Sequence, residues 1–130
     1  MFKRAIPPCT PIQQERQDRA RSCGCIACVI ECLPQPNASE IHHQTKYGRQ
    51  IGQDHSVCLC QWHHRGICVI GKTSREMAFE FGPSLAKQPR KFFDIYGANA
   101  EQLEFQNRLI GWELTADPVP ASKIVPRLVA

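Results

Sequence analysis

Two short half-sites constrain this chain more than any other feature. Cys25-Ile-Ala-Cys28 is a C-x2-C knuckle, Cys60-Gln-Trp-His63 is a C-x2-H pair, and 31 residues separate them. Residues three apart in a tight turn or the first turn of a helix converge on one point. Each pair can therefore offer two donors, and together they make a closed Cys3His set suited to structural Zn2+. If a helix starts near Cys60, His63 is in phase with Cys60, whereas His64 lies about 100° round the axis and faces elsewhere. The chain has 130 residues, room for one domain with a modest core. A structural zinc ion supplies on the order of 10 kcal/mol of folding free energy that such a core lacks.

Eight cysteines could instead mean disulfides, but those need an oxidising compartment. The opening MFKRAIPPCT has no apolar stretch of the signal-peptide kind, so a cytoplasmic, metal-binding chain is expected. Cys23 and Cys32 flank the knuckle, and either could replace one of its members. Cys9, Cys58 and Cys68 read as small buried hydrophobes.

Residues 1–22 carry Lys3, Arg4, Arg16, Arg19 and Arg21 against Glu15 and Asp18, a net +3. With few apolar residues at any period, they read as a flexible basic arm, helical around Gln13–Arg21. Residues 23–114 form the expected domain. A strand over 40–44, a glycine-bearing hairpin loop over 45–54 and a return strand over 55–60 lead into a short helix that Gly66 ends. Thr73 with Glu76 is a capping box, and Gly82-Pro83 stops the helix it opens. Pro89 opens a further helix ended by Gly97, and Asn99 with Gln102 suggests another capped start. Residues 115–130, with Pro118, Pro120 and Pro126, read as an extended tail. No apolar run approaches the ~18 residues a membrane span needs.

The histidines come as His42-His43 at a strand end and His63-His64 at a helix start. Adjacent strand residues point to opposite faces, so neither pair grips one ion with both rings. One histidine of the strand pair can join His64 at a second, open metal site while the other acts as a base. The residues themselves leave open which does which. A hard cation such as Mg2+ keeps waters and binds phosphate oxygens. A neutral imidazole can take a proton from an attacking water at neutral pH. These parts suffice for phosphodiester hydrolysis.

At EIHHQ…HSVCLCQWHHRG the chain resembles the HNH, or ββα-metal, endonucleases. It is most similar to the Ref-like recombination-enhancement nucleases of phages and bacteria. The resemblance runs from Cys25 to about Ile110 and takes in CIAC, FGPSLA, YG and LEFQNRLI. It implies an α+β fold: a small zinc-stabilised ββα-metal (HNH, His-Me finger) core with additional C-terminal helices. It makes His43 the general base, His42 and His64 ligands of a catalytic Mg2+ or Mn2+, and Cys25, Cys28, Cys60 and His63 the structural zinc ligands. His55 matches the middle position of the HNH signature, where Asn usually positions the loop or base by hydrogen bonding. Some relatives carry a further His downstream of HHRG; the nearby residue here is Cys68, and a thiolate is a poor partner for Mg2+, so Cys68 is not assigned as a ligand. The implied activity is DNA cleavage in recombination, with a RecA-type filament as partner, in the cytoplasm of a bacterium or of a phage's host.

Residues 41–91 hold eight Lys or Arg against Asp54, Glu76 and Glu80, a net +5 around these motifs. Arg65, directly after His64, is the best candidate for a phosphate contact. Lys46 and Arg49 could track a DNA backbone. Nothing resembles a base-reading helix, so weak sequence preference is expected. The competing reading is a catalytically inactive zinc module that binds DNA or protein.

Overall fold

A computed structural model describes residues 6–112. The expected tail over 115–130 and the first five residues of the arm lie outside the described residues.

The fold is α+β, with helices surrounding a two-stranded sheet. In chain order the elements are α1 (Pro11–Cys23), α2 (Ile26–Glu31), β1 (Ser39–His43), β2 (Thr45–Lys46), β3 (Arg49–Gln50) and β4 (Ser56–Cys60). They are followed by α3 (Gln61–Arg65), α4 (Ser74–Phe81), α5 (Pro89–Tyr96) and α6 (Asn99–Ile110). β1 and β4 pair antiparallel, with His42 opposite Val57 and His43 opposite Ser56. β2 and β3 form a separate small hairpin in the connection between them. α3 follows β4 without a break, so the C-x2-H half-site and both histidine pairs sit on one strand–strand–helix unit, while the C-x2-C half-site lies at the start of α2.

All five β4 residues are buried, because helices cover both of its faces. Val57, Leu59, Trp62, Met77, Phe92 and Tyr96 join Ile26 and Ala27 in the main core. The Cys58 amide, on the edge of β4 away from β1, donates to Gln106 Oε1 of α6 at 2.7 Å. An edge amide that would otherwise be orphaned is thereby satisfied.

Helix boundaries follow local chemistry. Thr73 and Glu76 form the expected capping box, and Gly82 follows the last residue of α4 at φ 90°. At Gly82 a Cβ would also lie 2.3 Å from the Tyr96 hydroxyl, so the position excludes a side chain twice over. Pro89 opens α5. α6 departs from expectation. Its cap is Ala98, whose amide donates to Glu101 Oε1 at 3.0 Å. Asn99 is the first helical residue, and its side chain donates instead to the Thr45 carbonyl at 3.1 Å.

The N-terminal arm is the larger correction. Pro11–Cys23 is a capped helix packed on β1, β4 and α6. Arg16, one of the charges of the expected basic arm, is fully buried. Its Nε and Nη2 donate to Asn107 Oδ1 at 3.1 and 2.8 Å, its Nη1 to Ser56 Oγ at 2.9 Å, and its Nη2 also to the Ser56 carbonyl at 2.9 Å. A guanidinium so fully paired can occupy a core. Burial lowers its pKa, which the Asp54 carboxylate partly offsets.

Candidate functional site

Cys25 is the N-cap of α2 and Cys28 lies in its first turn, while Cys60 is the N-cap of α3 and His63 lies in that helix. Two helix starts thus face each other, as the i, i+3 spacing requires. The four donor atoms lie within 4.8 Å of one another, and all four residues are buried. His63 Nδ1 is 3.4, 3.5 and 3.2 Å from the sulfurs of Cys25, Cys28 and Cys60. A tetrahedral zinc ion with ordinary bond lengths separates sulfur and nitrogen by about 3.6 Å, so the donor set fits that ion. The far nitrogen adds a second test. His63 Nε2 lies 2.8 Å from the Phe81 carbonyl, which can only accept. Nε2 therefore carries the proton, and Nδ1 presents its lone pair to the thiols, the arrangement a histidine ligand needs.

Burial raises the Cys25 thiol, but hydrogen bonds from Cys28 and Cys60 outweigh it and bring Cys25 down to about 3. The same hydrogen bonds to Cys25 and Cys60, with burial added, push Cys28 far up. Three sulfurs this close cannot all ionise unless a cation joins them. Cys23 and Cys32 are exposed and outside the cluster, which resolves the ambiguity around the knuckle. Cys58 is fully buried, and burial pushes its thiol up to about 11, as suits a core residue.

The strand's alternation sends Glu40 and His42 to one face of β1 and His43 to the other. On the first face His42 meets α3, with ring centroids of His42 and His64 5.0 Å apart. Burial, then the neighbouring imidazoles of His64 and His43, lower His42 to about 4. His42 is therefore neutral at pH 7, with a lone pair to offer. His64 Nδ1 donates to Glu40 Oε1 at 2.9 Å, which leaves His64 Nε2 as its acceptor atom. The same carboxylate is gripped by Arg65, whose Nε lies 2.8 Å from Oε1 and whose Nη2 meets Oε2. Hydrogen bonding from Arg65 is the largest cause that lowers the Glu40 pKa.

On the second face His43 Nε2 donates to Gln53 Oε1 at 2.8 Å. The amide orientation of Gln53 is set by its own donation to the Pro7 carbonyl at 3.0 Å and by a bond accepted from Gln17 Nε2 at 2.9 Å. His43 Nδ1 is then the unprotonated atom. The ring contact expected from His55 is not made: among the described residues the His55 ring has no hydrogen bond. His55 acts through its main chain, whose carbonyl accepts from the Gln44 amide at 2.8 Å and whose amide donates to the Gly52 carbonyl. The contact to the His43 ring comes instead from Gln53, two residues closer to β3. Glu40 and Gln53 are the residues that sequence reasoning missed. Glu40 stood inside the EIHH motif two residues before His42, the spacing that places both on one face of a strand, and that signal could have found it.

A family model described as recombination enhancement, RecA-dependent nuclease matches residues 9–111. The chain belongs to this family. The match spans α1 through α6, so the helix first read as an arm lies within the family's domain. The family name is that of an enzyme acting on nucleic acid. No curated protein and no solved structure matches the chain. Among the described residues no helix is long and apolar enough to cross a membrane.

Proposed function

We propose that this chain is a metal-dependent DNA endonuclease of the HNH type that acts on DNA engaged by a RecA filament. The observation that carries the reading is the meeting of His42 and His64 across the strand–helix junction, beside a separately oriented His43, in a member of a RecA-dependent nuclease family. A zinc-binding module would need the Cys3His cluster but not three further histidines placed in this way.

In this reading Cys25, Cys28, Cys60 and His63 hold the structural zinc. His42 and the Nε2 of His64 hold a Mg2+ or Mn2+ ion. That cation, when bound, offsets charge developing on the scissile phosphate and the departing 3′ oxygen. His43 removes a proton from the attacking water through Nδ1, with its ring held at Nε2 by Gln53. His55 supports the strand end beneath His43 through its main chain. Arg65 has two of its nitrogens on Glu40 and keeps Nη1 for a phosphate oxygen.

The test uses supercoiled and single-stranded DNA with Mg2+ or Mn2+, with and without a RecA filament. His43→Ala should lower cutting by about 10²–10⁴-fold, the range for loss of a positioned base. Zinc content and DNA affinity should stay unchanged. Normal cutting by this variant would remove His43 from the proposed role. No cutting by the parent protein under any of these conditions would remove the enzyme.

A further inference from the structure

The hairpin β2–β3 is built unlike a simple connection. Its register pairs Thr45 with Gln50 and Lys46 with Arg49, and the two turn residues are Tyr47 and Gly48. Both have positive φ, 53° and 76°. A two-residue turn of this hand favours Asn, Asp or Gly. A bulky aromatic there is costly to the backbone. Nor does Tyr47 serve the core, because the residue is 93% exposed. The Lys46 ammonium lies 5.6 Å from the centroid of its ring. Lys46 and Arg49 make no ion pair among the described residues.

The base of this hairpin, by contrast, is fixed. The Ile51 amide donates to the Gln44 carbonyl at 3.1 Å. Buried Gln44 donates through Nε2 to the Asn99 carbonyl at 2.7 Å, and Asn99 Nδ2 returns a bond to Thr45. Gln44 directly follows His43 in the chain, so Tyr47 stands at most about 14 Å from His43 along the backbone. A rigidly footed hairpin thus carries an exposed aromatic ring within about 14 Å of His43 along the chain, together with two cations that make no ion pair among the described residues.

We infer that Tyr47 stacks on an unpaired nucleobase while Lys46 and Arg49 hold the flanking phosphates, so that the hairpin selects single-stranded over duplex DNA. An aromatic face is complementary to a base only when that base is not already stacked within a helix. The cations are complementary to the strand's charge. The backbone cost at Tyr47 has no return in the fold, as expected of a residue kept for contact with a ligand.

This inference rests on the nuclease reading, since it names the form of DNA at the same site. Binding of the full-length, zinc-loaded chain carrying His43→Ala is measured by fluorescence anisotropy without added Mg2+. The probes are a single strand, a duplex of equal length and an abasic single strand. Tyr47→Asn suits the turn and should raise the melting temperature by several degrees. It should weaken single-strand binding by about 5- to 150-fold while leaving abasic-strand and duplex binding within twofold. Tyr47→Phe should keep single-strand affinity. Equal affinity of Tyr47→Asn and its parent for the single strand would overturn the inference, as would an equal loss on the abasic strand. A lowered melting temperature for Tyr47→Asn would show that the ring serves the fold, and would also overturn it. If the parent binds none of the three probes, the nuclease reading fails as well. If it binds but ignores position 47, while the chain with His43 intact cuts DNA, only this inference fails.

Discussion

Arg16 gives the sharpest test of how this small domain is held together. Arg16→Ala removes four hydrogen bonds and leaves Asn107 Oδ1, which accepted two of them, without a donor. Both Ser56 and Asn107 are buried, so water replaces the guanidinium poorly. Hydrogen bonds from a charged donor are worth about 1.5–3 kcal/mol each, but bonds that share partners do not add. Arg16→Ala leaves no charge behind, only the neutral groups of Asn107 and Ser56 short of a donor, at about 1–3 kcal/mol for each residue, so we take about 2–6 kcal/mol. A domain of this size has roughly 5–15 kcal/mol in total. The midpoint of urea unfolding of the zinc-loaded protein should therefore fall by at least roughly an eighth, at an unchanged slope. Arg16→Lys should recover little, because one ammonium cannot reach Asn107 and Ser56 together in the fork geometry of arginine. Deleting residues 1–22 should be at least as damaging as Arg16→Ala. Variants and truncation all within about 0.5 kcal/mol of the parent, the range of ordinary surface changes, would refute the reasoning and restore a freely moving arm.

Cys28→Ala should lose zinc and leave the domain unfolded at room temperature, since a zinc contribution on the order of 10 kcal/mol is comparable to the domain's whole stability. Metal analysis with a thermal melt checks this, and full zinc content with an unchanged melt would contradict it. Glu40→Gln should weaken Mn2+ binding by about 10–100-fold, the usual cost of losing the carboxylate behind a histidine ligand. Manganese EPR titration reads that directly, and affinity within twofold of the parent would separate Glu40 from the metal site.

What the sequence revealed, and what it hid, divides by range along the chain. The zinc half-sites were legible because a knuckle is an i, i+3 relation that the helix start itself enforces. The strand pair and α3 were legible because alternation and Gly66 punctuation are local. The same holds for the capping box of α4. Arg16 was hidden because its partners lie 40 and 91 residues away, and composition alone counts any arginine as solvated. The cap of α6 was misplaced for a similar reason. Asn99 looks like a helix cap in isolation, but Thr45 lies 54 residues away and claims its side chain. Gln53 was hidden because it stands in a loop with no periodicity to reveal its direction.

The local charge count was also read too simply, and the correction bears on how DNA would meet the site. Of the cations in residues 41–91, Arg65 is held by Glu40 and Lys72 by Glu80. The aliphatic stem of Lys87 lies so close over Gly66 that a Cβ there would meet its Cε at 2.6 Å. Glu80 is already subtracted in the net +5 of this stretch, but Glu40 lies outside residues 41–91, so its pairing with Arg65 lowers the local balance to +4. Lys46 and Arg49, on the hairpin, are both exposed and without an ion pair among the described residues. Arg75, Lys87, Arg90 and Lys91 are also exposed and without an ion pair among the described residues, so what sets the hairpin pair apart is its place directly after the strand that carries His43. Replacing Lys46 and Arg49 with Gln should then flatten the salt dependence of DNA binding by nearly two counterions' worth of slope, about 0.7 per phosphate contact for a single strand. The same change at Lys72 and Lys87 should leave that slope almost as it was; if both pairs flatten it equally, the charge is diffuse and the hairpin has no privileged part in capture.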